Sequence, residues 1–405
     1  MQIRAVTGFM DPGWPLDTSA IASVASGLKQ IARQLRDAGY EVQTIRLATP
    51  PPGEMSPAVP AAERPDLARN LEAEAFVQGI DYAAIGPVLP EDRDGFAVLP
   101  EIIGGTEVVF TSALYADPSS GLALLAARDC ARAVQEIAKL SSDGFGNLRF
   151  AALVHVPSGA PFFPAAYHRG GPPAFAVATE AADLAVTAAR EGHSLRDIRR
   201  KLTHAIEAHA SAIHQIAARA ASELGLRFRG IDFSLAPFPE PERSIGTAME
   251  ALGATVGAPG SAAAAAFLTD SLAGANFSRT GFCGLFLPVL EDSVLAMRAA
   301  EGQLTLSDLL LYSTLCGTGL DTIPLPGSIG QDALTALLVD LGAIGLRHLK
   351  PLTARLMPIP GKDVGDAVHF DFAYFADSGI MALPEEGLQD HLASPDLLDI
   401  GPRGY

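Results

Sequence analysis

The sequence has few cysteines, and their spacing argues against the usual cysteine-based structures. Three cysteines, Cys130, Cys283 and Cys316, are spread over 405 residues without a Cys-x-x-Cys pair. An odd number of distant cysteines argues against a disulfide framework and against a zinc site, and it is typical of proteins from a reducing compartment. We therefore expect a cytoplasmic protein without structural disulfides.

Basic residues are also scarce. The chain carries 29 Lys and Arg against 46 Asp and Glu, which gives a formal net charge of −17 at pH 7. Binding to nucleic acid or to an anionic membrane depends on a basic surface. The most basic cluster, residues 196–201 (RDIRRK), is typical of the solvated start of a helix. We expect a small-molecule ligand rather than nucleic acid or a membrane, and the sequence leaves open whether the chain forms a homo-oligomer.

Uninterrupted apolar segments of membrane-spanning length are absent as well. No run of 18 apolar residues occurs, although residues 262–268 (AAAAAFL) are rich in alanine. The first ten residues lack the apolar core of a signal peptide. With 48% hydrophobic residues, the chain can nevertheless bury a large core. These features predict a soluble, acidic, cytoplasmic protein.

Strand and helix patterns alternate along the whole length. A strand at residues 3–7, a helix at 17–38 and a strand at 41–47 form the first unit, in which Asp17 is suited to cap the helix and Gly39 to end it. Such a unit predicts a parallel strand pair. The sequence predicts further strands at residues 82–86, 107–113, 149–156 and 228–234, and a hairpin or strand pair at 368–375 and 379–383. It predicts further helices at residues 66–78, 119–140, most of 173–224, 262–273, 291–301, 305–314 and 330–346. This alternation favours an α/β fold.

Residues 48–65 (ATPPPGEMSPAVPAAERP) interrupt the alternation with a proline-rich loop. Proline lacks the backbone N–H that a strand or helix needs, so regular structure is excluded there. A loop of this length is either a lid or a surface connection, and we favour the surface connection because such loops are often simple linkers.

Residues 312–327 (YSTLCGTGLDTIPLPG) carry the strongest chemical signal. Cys316 lies between a helix-like segment and a Gly-Thr-Gly turn, and Asp321 follows five residues later. Gly317 and Gly319 allow backbone conformations closed to other residues, so a tight loop could present a thiol and approach a substrate. The alternative is a small buried cysteine that packs beside a turn.

This stretch and five others resemble one family. The others are residues 150–168 (FAALVHVPSGAPFFPAAYH), 175–183 (FAVATEAAD), 230–246 (GIDFSLAPFPEPERSIG), 286–296 (FLPVLEDSVLA) and 350–361 (KPLTARLMPIPG). In this order they resemble uncharacterised protein family 0210, also named domain of unknown function 711. The resemblance covers about residues 150–361, whereas the N-terminal third departs more and carries a proline-rich insert that is not typical of the family.

The resemblance implies a fold but no activity. Members resemble the barrel shared by pyruvate formate-lyase and ribonucleotide reductase, in which ten strands enclose a finger loop with a cysteine at its tip. The resemblance therefore implies one α/β barrel domain over residues 1–405, with helices outside and Cys316 on the finger loop. Gly404 and Tyr405 invite comparison with the glycyl-radical loop of that barrel, but the sequence given stops one residue after Gly404. We expect no glycyl radical.

The loop expected at residues 157–171 follows a predicted strand and carries polar side chains. Loops at the ends of buried strands concentrate ligand contacts in α/β folds. His168 could act as a general base, Arg169 could hold a carboxylate with its fork of donors, and Ser158 lies at the turn. The alternative for His168 is a loop histidine with backbone partners.

Three carboxylates near predicted strand ends could hold a divalent cation. Asp232 lies in the strand predicted at residues 228–234, and Glu291 and Asp292 begin a predicted helix. Carboxylate oxygens are the usual ligands of Mg²⁺ and Ca²⁺. Acidic residues in a first helical turn also serve as caps, which is the alternative for Glu291 and Asp292.

Three further residues could bind an anionic group or a carboxylate. Ser244 begins a predicted helix whose first amides could bind an anion. Lys350 and Arg355 lie in a stretch interrupted by prolines, and we expect them to pair with the carboxylates above or with those of a substrate.

These residues lead to three hypotheses on function. The first is an enzyme for a small polar metabolite, a non-radical lyase or hydrolase, with Cys316 as nucleophile or acid/base. Asp321 and His168 would tune its protons, and Arg169 would hold a carboxylate. The second is a metal-dependent enzyme that uses the clustered carboxylates. The third is a protein that senses a metabolite without turnover.

Overall fold

The chain begins with the predicted β-α-β unit. The structure, a computed structural model, describes residues 1–315 and 317–402. Strand β1 (Gln2–Phe9) pairs in parallel with β2 (Val42–Ala48), and helix α1 (Thr18–Asp37) connects them. The Asp17 side chain accepts a hydrogen bond of 2.9 Å from the Ala20 N–H. This cap confirms the predicted start of the helix.

The other helices and strands are interspersed along the chain and confirm an α/β fold. The helices are α2 (Arg64–Val77), α3 (Arg93–Ala97), α4 (Leu99–Gly104), α5 (Leu124–Ala138), α6 (Ala182–Glu191), α7 (Leu195–Leu224), α8 (Ile245–Ala251), α9 (Ser261–Ala273), α10 (Ser293–Ala300), α11 (Leu306–Leu315) and α12 (Gln331–His348). The strands are β3 (Tyr82–Ala84), β4 (Val109–Asp117), β5 (Gly121–Ala123), β6 (Phe150–Val154), β7 (Ala174–Glu180), β8 (Arg227–Asp232), β9 (Gly319–Pro326), β10 (Leu352–Ile359), β11 (Ala367–Val368), β12 (Ser378–Gly379) and β13 (Leu397–Leu398). Among the helices of residues 1–315 and 317–402, none is both long enough and apolar enough to cross a membrane.

One large, mostly parallel sheet contains most of the strands. Its order is β8-β7-β1-β2-β3-β4-β6-β10-β9, and β5 and β13 extend it beside β4. Strands β1, β2, β3, β4 and β6 run parallel to one another. Strands β7 and β8 form one parallel pair, and β9 and β10 form another. The antiparallel pairs β1/β7 and β6/β10 join these groups.

A short segment lies between the two outer strands, β8 and β9. The N–H of Leu235, just after β8, donates to the carbonyl of Gly284 at 3.0 Å. The N–H of Val289 donates to the carbonyl of Asp321 in β9 at 3.0 Å. Both neighbours of the segment run parallel to it. Residues 284–289 therefore connect the two edges of the sheet through backbone hydrogen bonds.

The two faces of the sheet pack against different partners. Side chains of the helices and one strand face form a large hydrophobic cluster, which includes Ile21 and Leu28 of α1. On the other face, Phe162 and Phe163 lie in two smaller clusters. The strands that contribute side chains to these clusters are β1, β2, β3, β4, β6 and β7. Residues 157–171 thus pack against the face without helices. The family resemblance implies a finger loop at Cys316, and this residue lies outside the described residues.

Three strands lie where the sequence predicted other structure. Helix was predicted over most of residues 173–224, but β7 occupies the first part, and turns or irregular chain were predicted where β9 and β10 lie. All residues of β7, β9 and β10 are buried. A strand that is buried on both faces shows no alternation of polar and apolar residues, so its sequence carries no period of two.

Candidate functional site

A cavity lies on the same face of the sheet as residues 157–171. Its empty volume is about 520 Å³, including the part that is open to solvent. Side chains of β1, β2, β3, β4 and β10 form its walls. Phe372 and Tyr374, in the chain between β11 and β12, form an aromatic rim. The lining residues are Arg4, Gln43, Thr44, Arg46, Tyr82, Phe110, Leu148, Phe163, Glu291, Arg355, Phe372 and Tyr374.

Four charged side chains form a continuous network of ion pairs at the cavity. Glu291 accepts hydrogen bonds from Arg4 and from Nη2 of Arg355, the latter at 2.6 Å. Nε of Arg355 donates to Oδ1 of Asp321 at 2.5 Å. The four side chains are between 1% and 14% exposed. The expected pairing of Arg355 with a carboxylate is confirmed, and water has little access to the network.

Burial and mutual attraction act in opposite directions on the pKa values of this network. Burial alone would raise the pKa of Glu291, but attraction to Arg4 and Arg355 outweighs burial and lowers it. Burial raises the pKa of Asp321, and the attraction of Arg355 offsets only part of this effect. Burial would lower the pKa of Arg355, but its two carboxylate partners raise it. Glu291 and both arginines are therefore charged at neutral pH.

Arg46 lies beside the network without a carboxylate of its own. The residue is 8% exposed, and its Nε donates to Oγ1 of Thr44 at 2.8 Å. Its guanidinium carbon lies 5.5 Å from the ring centre of Tyr82 and 5.2 Å from that of Phe163. In the described part of the chain, no Asp or Glu oxygen lies within 4.0 Å of its nitrogens. Burial and the charge of Arg4 lower its pKa to about 9, so Arg46 is a charged, unpaired cation at neutral pH.

A second ion pair supports the rim of the cavity. Arg243 pairs with Glu180 at the end of β7, and Gln43 donates to Glu180 at 2.8 Å. The guanidinium carbon of Arg243 lies 4.0 Å from the ring centre of Phe238, and Tyr374 packs edge-on against the same ring. Burial raises the pKa of Glu180 despite its cationic neighbours. The pair thereby links β7 to the aromatic rim.

His168 lies in residues 157–171 but does not line the cavity. Its backbone N–H donates to the carbonyl of Thr49 at 3.1 Å, and the residue is 4% exposed. Burial lowers the pKa of His168. A histidine in this position is neutral at pH 7, and its established contacts are those of a packed loop residue.

The two other ligand residues predicted in this loop also lie away from the cavity. Arg169 pairs with Glu54 at 2.5 Å, and its side chain is 54% exposed. The carbonyl of Ser158 accepts a hydrogen bond of 2.9 Å from Arg229. The structure thus places the predicted carboxylate anchor on the surface, whereas the guanidiniums of Arg4, Arg46 and Arg355 line the cavity.

The three carboxylates predicted as cation ligands are occupied by hydrogen-bond donors. Asp292 accepts from the first N–H groups of α10 and of α8, and from the Ser244 hydroxyl at 2.7 Å. Asp232 accepts from two backbone N–H groups and from the Ser234 hydroxyl. Glu291 is held by two arginines. The described residues contain no group of three His, Cys, Asp or Glu placed to hold a metal ion, so the metal-dependent alternative gains no geometric support.

Gly317 and Gly319 pack against neighbouring backbone. Their φ angles are 71° and 100°. A Cβ on Gly317 would lie 2.1 Å from the carbonyl oxygen of Leu285, and one on Gly319 would lie 2.3 Å from that of Thr353. These glycines therefore allow β9 to lie close to neighbouring backbone. This packing explains the two glycines without a role in substrate binding. The Nζ atom of Lys350 donates to a carbonyl of α11 at 2.8 Å.

Sequence reasoning missed the arginines that give the cavity its charge. Arg4 and Arg46 lie on β1 and β2, and each is the only charged residue of its strand, QIRAVTGF and VQTIRLA. A charged side chain within a largely buried strand must find a partner or a ligand, because burial of an isolated charge is costly. That signal was present in the sequence, but it does not reveal on which face of the sheet the arginine lies.

Comparison with known proteins places these residues in a wider context. Residues 1–376 match the sequence model of the family described as Uncharacterised ACR (DUF711). A UPF0210 protein from Pyrobaculum arsenaticum is 34% identical over 364 residues, which cover 84% of this chain and 80% of the relative. One from Methanopyrus kandleri is 32% identical over 369 residues, or 85% and 81% of the two chains. One from Oleidesulfovibrio alaskensis is 30% identical over 342 residues, or 79% and 74%. The family match extends through the N-terminal third, which contains Arg4 and Arg46.

Proposed function

The chain belongs to the family described as Uncharacterised ACR (DUF711), and we propose that it binds a small carboxylate-bearing metabolite in the cavity beside Arg46. The observation that carries the proposal is the guanidinium of Arg46, which is buried, lines the cavity and has no acidic partner among the described residues. The names of the relatives give no activity, so the proposal rests on this geometry.

The chemistry of arginine matches a carboxylate ligand. Burial of a charge without a counter-ion costs several kcal/mol, even after the protein relaxes around it. An anion bound at Arg46 would offset this cost. Nε of Arg46 is engaged by Thr44, whereas its Nη atoms make no hydrogen bond to any described residue. Two such N–H donors can hold both oxygens of one carboxylate.

We further propose that the sheet closes into a ten-stranded barrel around this cavity. The nine strands from β8 to β9 and residues 284–289 would make ten strands in two parallel sets of five. The hydrogen bonds of Leu235 and Val289 to the two sides of the closing segment support this arrangement. Residues 157–171 connect β6 to β7 and would be the inserted loop, with Phe162 and Phe163 inside the barrel.

Conversion of the ligand is a separate proposal from its binding. An enzyme would use Cys316, which lies outside the described residues, with Asp321 as the nearest carboxylate in the sequence. Metabolite sensing without turnover is supported by the ion pairs of Glu291, since the two arginines lower the pKa of this carboxylate and make it a poor proton acceptor. A cytoplasmic location stays a prediction.

Thermal unfolding with and without a panel of small carboxylates tests the proposed binding. At a hundredfold excess over its dissociation constant, a ligand stabilises the folded state by about 2.7 kcal/mol. We expect this stabilisation in the wild type and in Arg169→Met, which removes an exposed arginine, but not in Arg46→Met. Equal stabilisation of Arg46→Met, or no stabilisation of the wild type by any carboxylate of the panel, would overturn the proposal.

A further inference from the structure

The charged groups at the cavity do not balance, and the difference is one positive charge. Three guanidiniums, those of Arg4, Arg46 and Arg355, line the cavity. Two carboxylates, Glu291 and Asp321, pair with Arg4 and Arg355. Arg46 is left as the single uncompensated charge in the described part of this site. A monoanion would neutralise it, whereas a dianion would bring a second charge into a buried site that has no further free cation among the described residues.

The walls around Arg46 are aromatic. Tyr82, Phe110, Phe163, Phe372 and Tyr374 line the cavity. The rings of Tyr82 and Phe110 are 5.2 Å apart, and those of Phe110 and Phe163 are 5.4 Å apart, both in edge-to-face geometry. These rings form a continuous apolar surface next to the guanidinium. A planar apolar group would gain from burial against this surface and from edge-to-face ring contacts.

The positive charge of Arg46 lies next to the aromatic surface of the cavity. Its guanidinium carbon lies 5.5 Å from the ring centre of Tyr82 and 5.2 Å from that of Phe163. A carboxylate bound at Arg46 therefore lies next to both rings. The body of the ligand, attached to that carboxylate, must lie along the same rings or extend toward the rim formed by Phe372 and Tyr374.

We propose that the cavity takes an aromatic monocarboxylate, in which one carboxylate binds Arg46 and a planar ring packs against Tyr82, Phe110 and Phe163. This inference rests on the proposed function, because it names the class of ligand for the same site. The empty volume of about 520 Å³ includes the part of the cavity that is open to solvent, so a bound ligand would lie partly at the rim.

Four matched probes separate the parts of this inference. Phenylacetate carries a ring and one charge, acetate carries the charge without the ring, 2-phenylethanol carries the ring without the charge, and phenylphosphonate at pH 8 carries the ring with two charges. Calorimetric titration of the full chain should show the tightest binding for phenylacetate, by about tenfold or more over acetate, since ring burial adds to the carboxylate contact.

Three variants connect these affinities to the cavity. Phe110 lines the cavity and contacts the rings of both Tyr82 and Phe163, so Phe110→Leu keeps an apolar wall but should bind phenylacetate more weakly while binding acetate unchanged. Phe76→Leu alters a ring that is 69% exposed on α2 and should bind both as the wild type does. Arg46→Met should lose both acids.

The outcomes distinguish this inference from the proposed function. If acetate binds as tightly as phenylacetate, and both depend on Arg46, the aromatic class is wrong and carboxylate binding stands. If phenylphosphonate binds more tightly than phenylacetate, the single-charge part is wrong. If no acid binds, or binding survives in Arg46→Met, the proposed function fails and this inference fails with it.

Discussion

The guanidinium of Arg355 lies 2.6 Å from the carboxylate of Glu291, although 64 residues separate them in the sequence. Glu291 also accepts a hydrogen bond from Arg4, which lies 287 residues away. Arg4 is on β1 and Arg355 is on β10, in strand groups that run in opposite directions. One carboxylate therefore links both groups to the chain that follows residues 284–289.

Loss of the Glu291 charge should destabilise the fold strongly. Glu291→Gln leaves Arg4 and Arg355 buried with one partner fewer, and removal of one member of a buried pair typically costs about 3–5 kcal/mol. Urea unfolding measures the change. Glu136→Gln, which breaks an exposed pair with Lys139, should cost about 0–1 kcal/mol. Similar losses in the two variants would show that the buried network contributes little.

Gly319 should be required for folding rather than for ligand binding. Gly319→Ala places a Cβ 2.3 Å from the carbonyl oxygen of Thr353 at a φ of +100°, and such a left-handed residue alone costs about 1–3 kcal/mol. Gly53→Ala is the control, because no atom lies within 4 Å of its Cβ position. Thermal unfolding without any ligand should separate the two variants. Equal stability would contradict the close approach of β9 to β10.

His168 should make the protein less stable in mild acid. Burial lowers its pKa in the folded state below the ordinary value of 6.5, so folding favours the neutral ring. Its contribution to the free energy of unfolding is full above pH 6.5 and is lost as the pH falls through 6.5 toward the folded-state pKa. From pH 7 to 5 the wild type should therefore lose more stability than His168→Gln.

The matched control for this pH dependence is His204→Gln, because His204 is exposed on α7. That variant should lose stability between pH 7 and 5 as the wild type does. If His168→Gln shows the same loss as the wild type and the control, burial of His168 does not couple folding to protonation.

Thiol labelling of the wild type should report on Cys316. Burial raises the pKa of Cys130, and burial with the charge of Asp232 raises that of Cys283 to about 12, so both remain protonated thiols. Under the enzyme hypothesis, iodoacetamide reacts quickly with an apparent pKa well below about 8.5, and Cys316→Ser removes the reaction. Slow labelling with an ordinary or raised pKa would contradict the nucleophile and favour metabolite sensing.

Much of the fold could be predicted from local patterns. The first β-α-β unit follows from apolar periodicity and from the cap at Asp17, and both are properties of short segments. β7, β9 and β10 could not be found in this way, because β7 (AFAVATE) is rich in alanine and β9 (GLDTIPLP) and β10 (LTARLMPI) contain proline, which is unusual inside a strand. Their strand structure depends on neighbours that are distant in the sequence, which override local propensity.

The site was only partly predictable for the same reason. Asp321, Glu291 and Arg355 were singled out in the sequence, and the structure brings them together. The prediction of Arg169 as the carboxylate anchor followed from its loop position, but the structure pairs it with Glu54 on the surface. Arg46 was missed, because the absence of a carboxylate partner is a property of the folded chain and not of its strand.

Calorimetric titration of phenylacetate into the wild type and Arg46→Met tests the central claim most directly. We expect Arg46→Met to lose about 2–5 kcal/mol of binding free energy, the usual cost of removing one partner of a buried charge pair, and Arg169→Met to bind as the wild type does. The unliganded Arg46→Met protein should be at least as stable as the wild type, because it no longer buries an unpaired cation. Unchanged affinity in Arg46→Met would contradict the assignment of Arg46 as the residue that binds the ligand.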